Sequence, residues 1–155
     1  MKRFMKIRTL MLMAFMLLGT IPTSAVERPF ALKGSGVATL ITDNSGNLIG
    51  AIPTGSGTAT HLGQWTVSGT VHYTPVDGGV FKSSGDATLT ASNGDKLFFQ
   101  IDGILDPNVF MDQGVFHMVG GTGRFEGAYG DSNFVVQINP VTGGFDLTVV
   151  GKINF

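Results

Sequence analysis

Apolar and polar residues alternate with a period of two through most of the chain after residue 25. From 145 to 155, every second residue is Phe, Leu, Val, Gly or Ile, and most of the residues between them are polar. The segment 65–73 repeats the pattern, with Trp65 and Tyr73 at its two ends. Because successive side chains of a β-strand point to opposite faces, each run predicts a strand with one buried face. No stretch shows the 3.6-residue period of a long amphipathic helix.

Short polar segments that contain glycine or proline separate these runs and predict tight turns. They lie at 43–46, 77–79, 92–95 and 139–144. Asn93-Gly94 is the strongest hairpin signal, because both residues tolerate positive φ and the two flanking runs predict strands. Residues 54–57 are interpreted as a loop. The runs between the turns predict strands at 30–41, 47–52, 57–62, 65–73, 84–91, 96–105, 115–119, 128–138 and 145–155.

Eight or nine antiparallel strands joined by short turns predict a barrel or a sandwich. The chain has 23 glycines, and several lie inside strand runs, where glycine marks bends and close backbone approach. Such strong curvature favours the barrel. Pairing of the last strand with the first would close the sheet and remove its exposed edges. We therefore expect an all-β fold, a small closed antiparallel β-barrel of about eight strands.

The N-terminal segment has the order of a secretory signal peptide. Four basic residues lie within the first eight, residues 10–18 are uncharged and mostly apolar, and small residues follow at 23–25. The alternative is a membrane anchor, but the apolar run is well short of the roughly 20 residues that span a bilayer. We expect residues 1–25 to be removed after Ala25. The remaining domain, 26–155, would then be a secreted or periplasmic protein without a membrane anchor.

Cleavage would change the net charge, because residues 1–25 hold four basic residues and no acidic one. The rest of the chain has six Lys or Arg against eleven Asp or Glu, a net charge of −5. Binding to nucleic acid or to an anionic membrane needs clustered positive charge, so neither partner is expected. The chain has no cysteine, which excludes disulfides, iron–sulfur clusters, cysteine-ligated zinc and thiol catalysis.

Other residues with candidate chemistry are few. His61, His72 and His117 fall in three separate predicted strands without an i, i+2 pair, and we expect neither a metal site nor a cofactor. Asp102 shares a strand face with Phe98, and its pKa would be raised if that face were buried. The alternative, which we favour, is an outward carboxylate. No catalytic residue is assigned.

The segment 119–130 differs from the rest of the chain, because it holds five glycines around one Arg, one Phe and one Glu. Its glycine spacing matches neither the dinucleotide nor the Walker fingerprint, and no helix is predicted after it. We interpret it as a structural turn in which Phe125 fills the end of the barrel and Arg124 pairs with Glu126. The residues assigned to this turn are Gly120, Gly121, Gly123, Arg124, Phe125 and Gly127.

Residues 120–125, Gly-Gly-Thr-Gly-Arg-Phe, followed by Gly127 and Gly130, carry a family resemblance. They resemble the glycine-rich strand and turn of the allene oxide cyclase barrel superfamily, which includes the plant dirigent proteins. Together with residues 59–63, Ala-Thr-His-Leu-Gly, they also resemble small exported bacterial proteins. The resemblance implies an eight-stranded antiparallel barrel and, from the trimeric plant members, a homo-oligomer. It assigns no catalytic residue.

The favoured function is that of a non-catalytic exported barrel protein that binds a small hydrophobic ligand or acts in assembly. The alternative, by resemblance alone, is a cyclase- or isomerase-like enzyme acting on a hydrophobic substrate inside the barrel. A pocket with a buried carboxylate would favour the enzyme, an apolar pocket the carrier, and a filled core the assembly protein. Phe110 adds apolar surface, and the predicted ligand-binding side chains are Phe98, Phe99, Phe116, Met118 and Phe134.

Overall fold

The computed structural model describes residues 25–155, which form a closed barrel of eight strands. Residues 1–24, with most of the predicted signal peptide, lie outside the described residues. None of the described residues forms a helix that is long and apolar enough to cross a membrane. The strands are β1 Glu27–Thr42, β2 Leu48–Ala59, β3 Gly63–Val76, β4 Val80–Ala91, β5 Lys96–Asp106, β6 Met111–Gly121, β7 Gly130–Ile138 and β8 Gly144–Asn154.

Each strand pairs antiparallel with the next, and β8 pairs with β1 to close the barrel. That last pairing runs from Glu27 opposite Asn154 to Val37 opposite Gly144. The predicted closed antiparallel barrel is therefore confirmed. The hairpin at Asn93-Gly94 joins β4 to β5, with Gly94 at φ +90°.

The second and third predicted strands, 47–52 and 57–62, are mostly one continuous strand, so the prediction of a loop at 54–57 is wrong. The glycines of this segment allow the backbones of β1, β2 and β3 to approach one another closely. A Cβ on Gly57 would overlap the Lys33 carbonyl and the Gly34 backbone, and it would lie 2.7 Å from the Trp65 ring. Glycine is therefore the residue that lets these backbones meet over the indole.

One end of the barrel, where β2–β3, β4–β5 and β6–β7 are connected, is filled with side chains; we call it the closed end. A short 3-10 helix, Gly123–Phe125, follows β6 there. It turns Phe125 into the interior, where the ring is fully buried and meets the ring of Phe155 edge-on at 5.3 Å. Other fully buried residues at this end are Phe30, Trp65, Leu97 and Ile153.

The opposite end is reached by the β1–β2, β3–β4, β5–β6 and β7–β8 connections; we call it the cavity end. A second, smaller cluster of buried residues lies there, made of Ala51, Tyr73 and Leu105. Small residues such as Ala51 leave room that the large side chains of the closed end do not. The two ends of one barrel therefore differ, since one is packed and the other holds a cavity.

Candidate functional site

A cavity of about 80 Å³ lies inside the barrel. Its walls come from inward-facing residues of all eight strands. Among the described residues that line it, all are apolar except Tyr73 and Asp112. An apolar cavity with a few converging polar groups is the usual form of a small-molecule site.

The polar groups meet because antiparallel strands bring distant residues to one end. Tyr73 is near the end of β3, Ser83 near the start of β4, and Asp112 near the start of β6. Tyr73 and Ser83 are direct partners across β3 and β4. On β5, which lies between β4 and β6, Gly103 is the partner of Ser83. A Cβ on Gly103 would lie 2.7 Å from the Ser83 hydroxyl oxygen, so its absence leaves a path from Ser83 to Asp112.

The Ser83 hydroxyl donates a hydrogen bond of 2.7 Å to Oδ1 of Asp112. Asp112 is only 4% exposed, and Ser83 is fully buried. Burial raises the pKa of Asp112 to about 6, because the charged form loses water, and the hydrogen bond from Ser83 opposes that rise. The carboxyl group can therefore gain or lose a proton close to neutral pH.

Tyr73 keeps its proton over the same range. Burial, and secondly the negative charge of Asp112, raise the pKa of the Tyr73 phenol well above its ordinary value. A neutral phenol can donate one hydrogen bond and accept others. The cavity thus offers a carboxylate and a phenol within otherwise apolar walls, and the Ser83 hydroxyl, which does not line the cavity, holds the carboxylate.

No cation among residues 25–155 forms an ion pair with Asp112. The four ion pairs of the described chain are elsewhere, and at least one partner of each is well exposed. They are Lys82–Asp102, His117–Asp131, Arg124–Asp95 and Lys152–Glu27. Within the described residues, the charge of Asp112 is therefore balanced by no protein cation.

Three of the predicted ligand-binding residues, Phe99, Phe116 and Phe134, line the cavity. The rings of Phe116 and Phe134 are stacked at 4.3 Å between centroids. Met118 is buried in the core but does not line the cavity. Phe98, which was also predicted to bind the ligand, does not face the cavity. Its neighbours Leu97 and Phe99 are buried, so strand alternation turns Phe98 to the outer surface.

Phe110 and Asp102 also lie outside the barrel. Phe110 is 41% exposed in the β5–β6 connection, with φ +51°. Asp102 is on the outer face of β5, 3.6 Å from the amino group of Lys82, as the favoured interpretation had it. The buried carboxylate is Asp112, which the sequence analysis did not single out because the predicted strand began at 115. Extending the alternation of Phe116 and Met118 back by two and four residues would have found it.

The glycine-rich segment contains three of its assigned glycines at positive φ: Gly120 at +135°, Gly123 at +60° and Gly127 at +72°. Gly121 is needed for space, since a Cβ there would overlap the Lys96 carbonyl and lie 2.6 Å from Cβ of Phe125. Arg124 does not form the expected pair with Glu126. Its Nε lies 3.6 Å from Asp95 in the β4–β5 turn, because the 3-10 helix replaces the extended strand that the pairing assumed.

The three histidines do not converge in the described part of the chain. His61 has φ +67°, and its Nε2 lies 3.0 Å from the Pro29 carbonyl. Nδ1 of His117 forms a hydrogen bond of 2.7 Å with Oδ1 of Asp131, and His72 is exposed on β3. Between residues 25 and 155, no three His, Asp or Glu side chains form a group that could hold a metal ion.

Comparison with known proteins identifies the fold. Neither a protein-family model nor a curated protein matches the sequence. The pterocarpan synthase dirigent protein GePTS1 has a TM-score of 0.55 and 11% identity, over 84% of this chain and 85% of that chain. The pterocarpan synthase dirigent protein PsPTS1 has a TM-score of 0.56 and 10% identity, over 85% of this chain and 96% of that chain.

A structure of pyocyanin demethylase aligns more loosely, with a TM-score of 0.46 and 14% identity over 80% of this chain and 99% of that chain. The two dirigent structures cover most of this chain and share its closed barrel. The resemblance seen in the glycine-rich segment is therefore confirmed at the level of the fold: this chain has the eight-stranded antiparallel barrel of the dirigent proteins.

Proposed function

We propose that this protein binds one end of a small, largely apolar molecule in the cavity and orients it with Tyr73 and with Asp112, which Ser83 holds in place. The observation that carries the proposal is a cavity that keeps a buried, hydrogen-bonded carboxylate inside otherwise apolar walls. An interior evolved only for assembly would gain stability from filling this space, since each unfilled volume forfeits packing contacts. Replacing the buried carboxyl group by an apolar side chain would also make such a barrel more stable.

The size of the cavity limits the part of the ligand that enters. About 80 Å³ is roughly half the volume of an engineered cavity of about 150 Å³ that holds benzene. Residues lining the cavity end, such as Ala38, Pro53 and Ile138, are only half-buried. The proposal is therefore that a short apolar group with one polar atom enters, while any larger remainder of the ligand extends toward that end.

The dirigent neighbours support a small-molecule role, because both are named as pterocarpan synthase dirigent proteins. At 10% and 11% identity they assign no residue of this chain. We also propose that the protein is exported, as its N-terminal segment predicts, and that it binds its ligand in the periplasm or outside the cell.

The test is a titration of the purified protein with 1-butanol, a small neutral probe, followed by NMR chemical shifts. Saturable shifts should appear at residues around the cavity, such as Phe134. Val136→Phe should abolish them, because Val136 faces the cavity and is the direct partner of Asp112. Val135→Phe is the matched control, since Val135 is the next residue and is 41% exposed. No saturable binding by the wild-type protein would overturn the proposal.

A second candidate function is acid–base catalysis on a bound hydrophobic substrate, which is the function that a pocket with a buried carboxylate is expected to favour and which the pKa of about 6 at Asp112 also supports. The test follows deuterium exchange from D₂O into the carbon next to the carbonyl of 2-butanone. The wild-type protein should accelerate that exchange, and Asp112→Asn should remove the acceleration while 1-butanol still binds. Equal exchange with both proteins would exclude catalysis by Asp112 and leave the binding function standing.

A further inference from the structure

Taking the proposed ligand-binding function as given, we infer that the cavity is selective for a protonated amine, so that the ligand is a small apolar ammonium compound. This selectivity follows from the cavity walls, the hydrogen bonds of the carboxylate and the aromatic rings around it.

The Asp112 carboxylate has no countercharge among the described residues. Ser83 is the single hydrogen-bond donor that the described residues give to the Asp112 side chain, and it reaches Oδ1. Oδ2 receives no hydrogen bond from residues 25–155 and keeps some accessible surface, and no cation among these residues forms an ion pair with the group. An ionised carboxylate out of water is costly unless it is paired. A ligand ammonium group supplies both the missing charge and up to three donors.

The walls of the cavity contain several aromatic rings. The stacked pair Phe116 and Phe134 lines the same cavity as Asp112, together with Tyr73. The faces of aromatic rings attract cations, and the attraction grows when the cation is desolvated. Because Tyr73 stays a neutral phenol, its oxygen can also accept a hydrogen bond from an ammonium group. These walls therefore suit a cation better than a neutral alcohol.

The charge of the cavity lining disfavours an anionic ligand. Among the described residues lining the cavity there is no Lys, Arg or His, and the charged group present is a carboxylate. A carboxylic acid or phosphate would meet repulsion from Asp112 without a compensating cation.

Few titratable groups can set the pH dependence of amine binding. The elements packed around Asp112 present Tyr73 from β3, Ser83 from β4, Leu105 from β5 and Val136 from β7. Of these, Tyr73 alone can titrate, and it stays protonated. Selectivity for the amine should therefore appear as pH rises through the pKa of Asp112, at about 6.

The experiment compares n-butylamine with 1-butanol, which share an apolar chain and differ in charge. At pH 7.5 and matched ionic strength, NMR titration should show the wild-type protein binding the amine roughly tenfold or more tightly than the alcohol. At pH 4.5 that preference should fall to less than about threefold, because Asp112 is then protonated.

Asp112→Asn should lose the preference for the amine while still binding 1-butanol, and that retained binding shows that the variant is folded. Asp102→Asn removes an exposed carboxylate of the neighbouring strand and should behave like the wild type. Equal affinity for amine and alcohol at pH 7.5, or an amine preference that survives in Asp112→Asn, would overturn this inference alone. Binding of neither probe would overturn the proposed function and the inference with it.

Discussion

Replacing Asp112 by Asn should make the protein more stable at neutral pH, although it removes a charged hydrogen-bonding group. Burial raises the pKa of Asp112 in the folded protein from 3.8 to about 6. In the unfolded chain the carboxyl group keeps its ordinary pKa. Below about pH 4 it is protonated in both states and stability is unaffected. Between about pH 4 and 6 the unfolded chain ionises first, so the wild-type free energy of unfolding falls as pH rises.

The size of the effect follows from the two pKa values. One pKa unit corresponds to about 1.4 kcal/mol, so a shift of about two units amounts to roughly 3 kcal/mol above pH 6. That is a substantial part of the roughly 5–15 kcal/mol that stabilises a typical domain. Asn keeps the shape and its amide oxygen can still accept the hydrogen bond from Ser83, but it carries no charge at any pH.

Urea unfolding of both proteins at several pH values from 4 to 7.5 measures the difference directly. The free energy of unfolding of Asp112→Asn relative to the wild type should rise by roughly 2–3 kcal/mol over that range and level off above pH 6. Asp102→Asn is the control, because Asp102 lies exposed beside Lys82 and its pair should contribute less than about 1 kcal/mol. Parallel curves for wild type and Asp112→Asn would refute the claim that burial destabilises the charged carboxylate.

Two further predictions concern the closed end and the N-terminus. Phe125→Ala should lower the free energy of unfolding by about 3–5 kcal/mol, because it empties a fully buried site. Arg124→Ala should lower the free energy of unfolding by less than about 1 kcal/mol, because the ion pair between Arg124 and Asp95 is partly exposed. Thermal melts compare the two, and equal losses would contradict a structural role for the ring. We also propose that the exported protein begins at Val26; N-terminal sequencing that finds Met1 in a membrane fraction would contradict cleavage after Ala25.

The sequence by itself determined the strands and their buried faces wherever alternation was long and regular. Phe145, Leu147 and Val149 of β8 are buried, as the pattern predicted, and their polar neighbours are exposed. The hairpin at Asn93-Gly94 and the closure of the last strand on the first were also predictable. These features are local, or follow from the need to cover sheet edges, so a single sequence contains enough information to find them.

Other features were decided by the tertiary structure alone. Gly57 lies in a segment, residues 54–57, whose composition is typical of a loop. It nevertheless forms part of β2, where the backbone of β1 and the ring of Trp65 approach it closely. The candidate site is the clearest case. Ser83 and Asp112 are 29 residues apart, and Gly103 leaves the space between them on the intervening strand. Their hydrogen bond, and with it the burial of a carboxylate, depends on the pairing of β4 with β5 and of β5 with β6, which sets the register of three strands and which no local pattern of residues encodes.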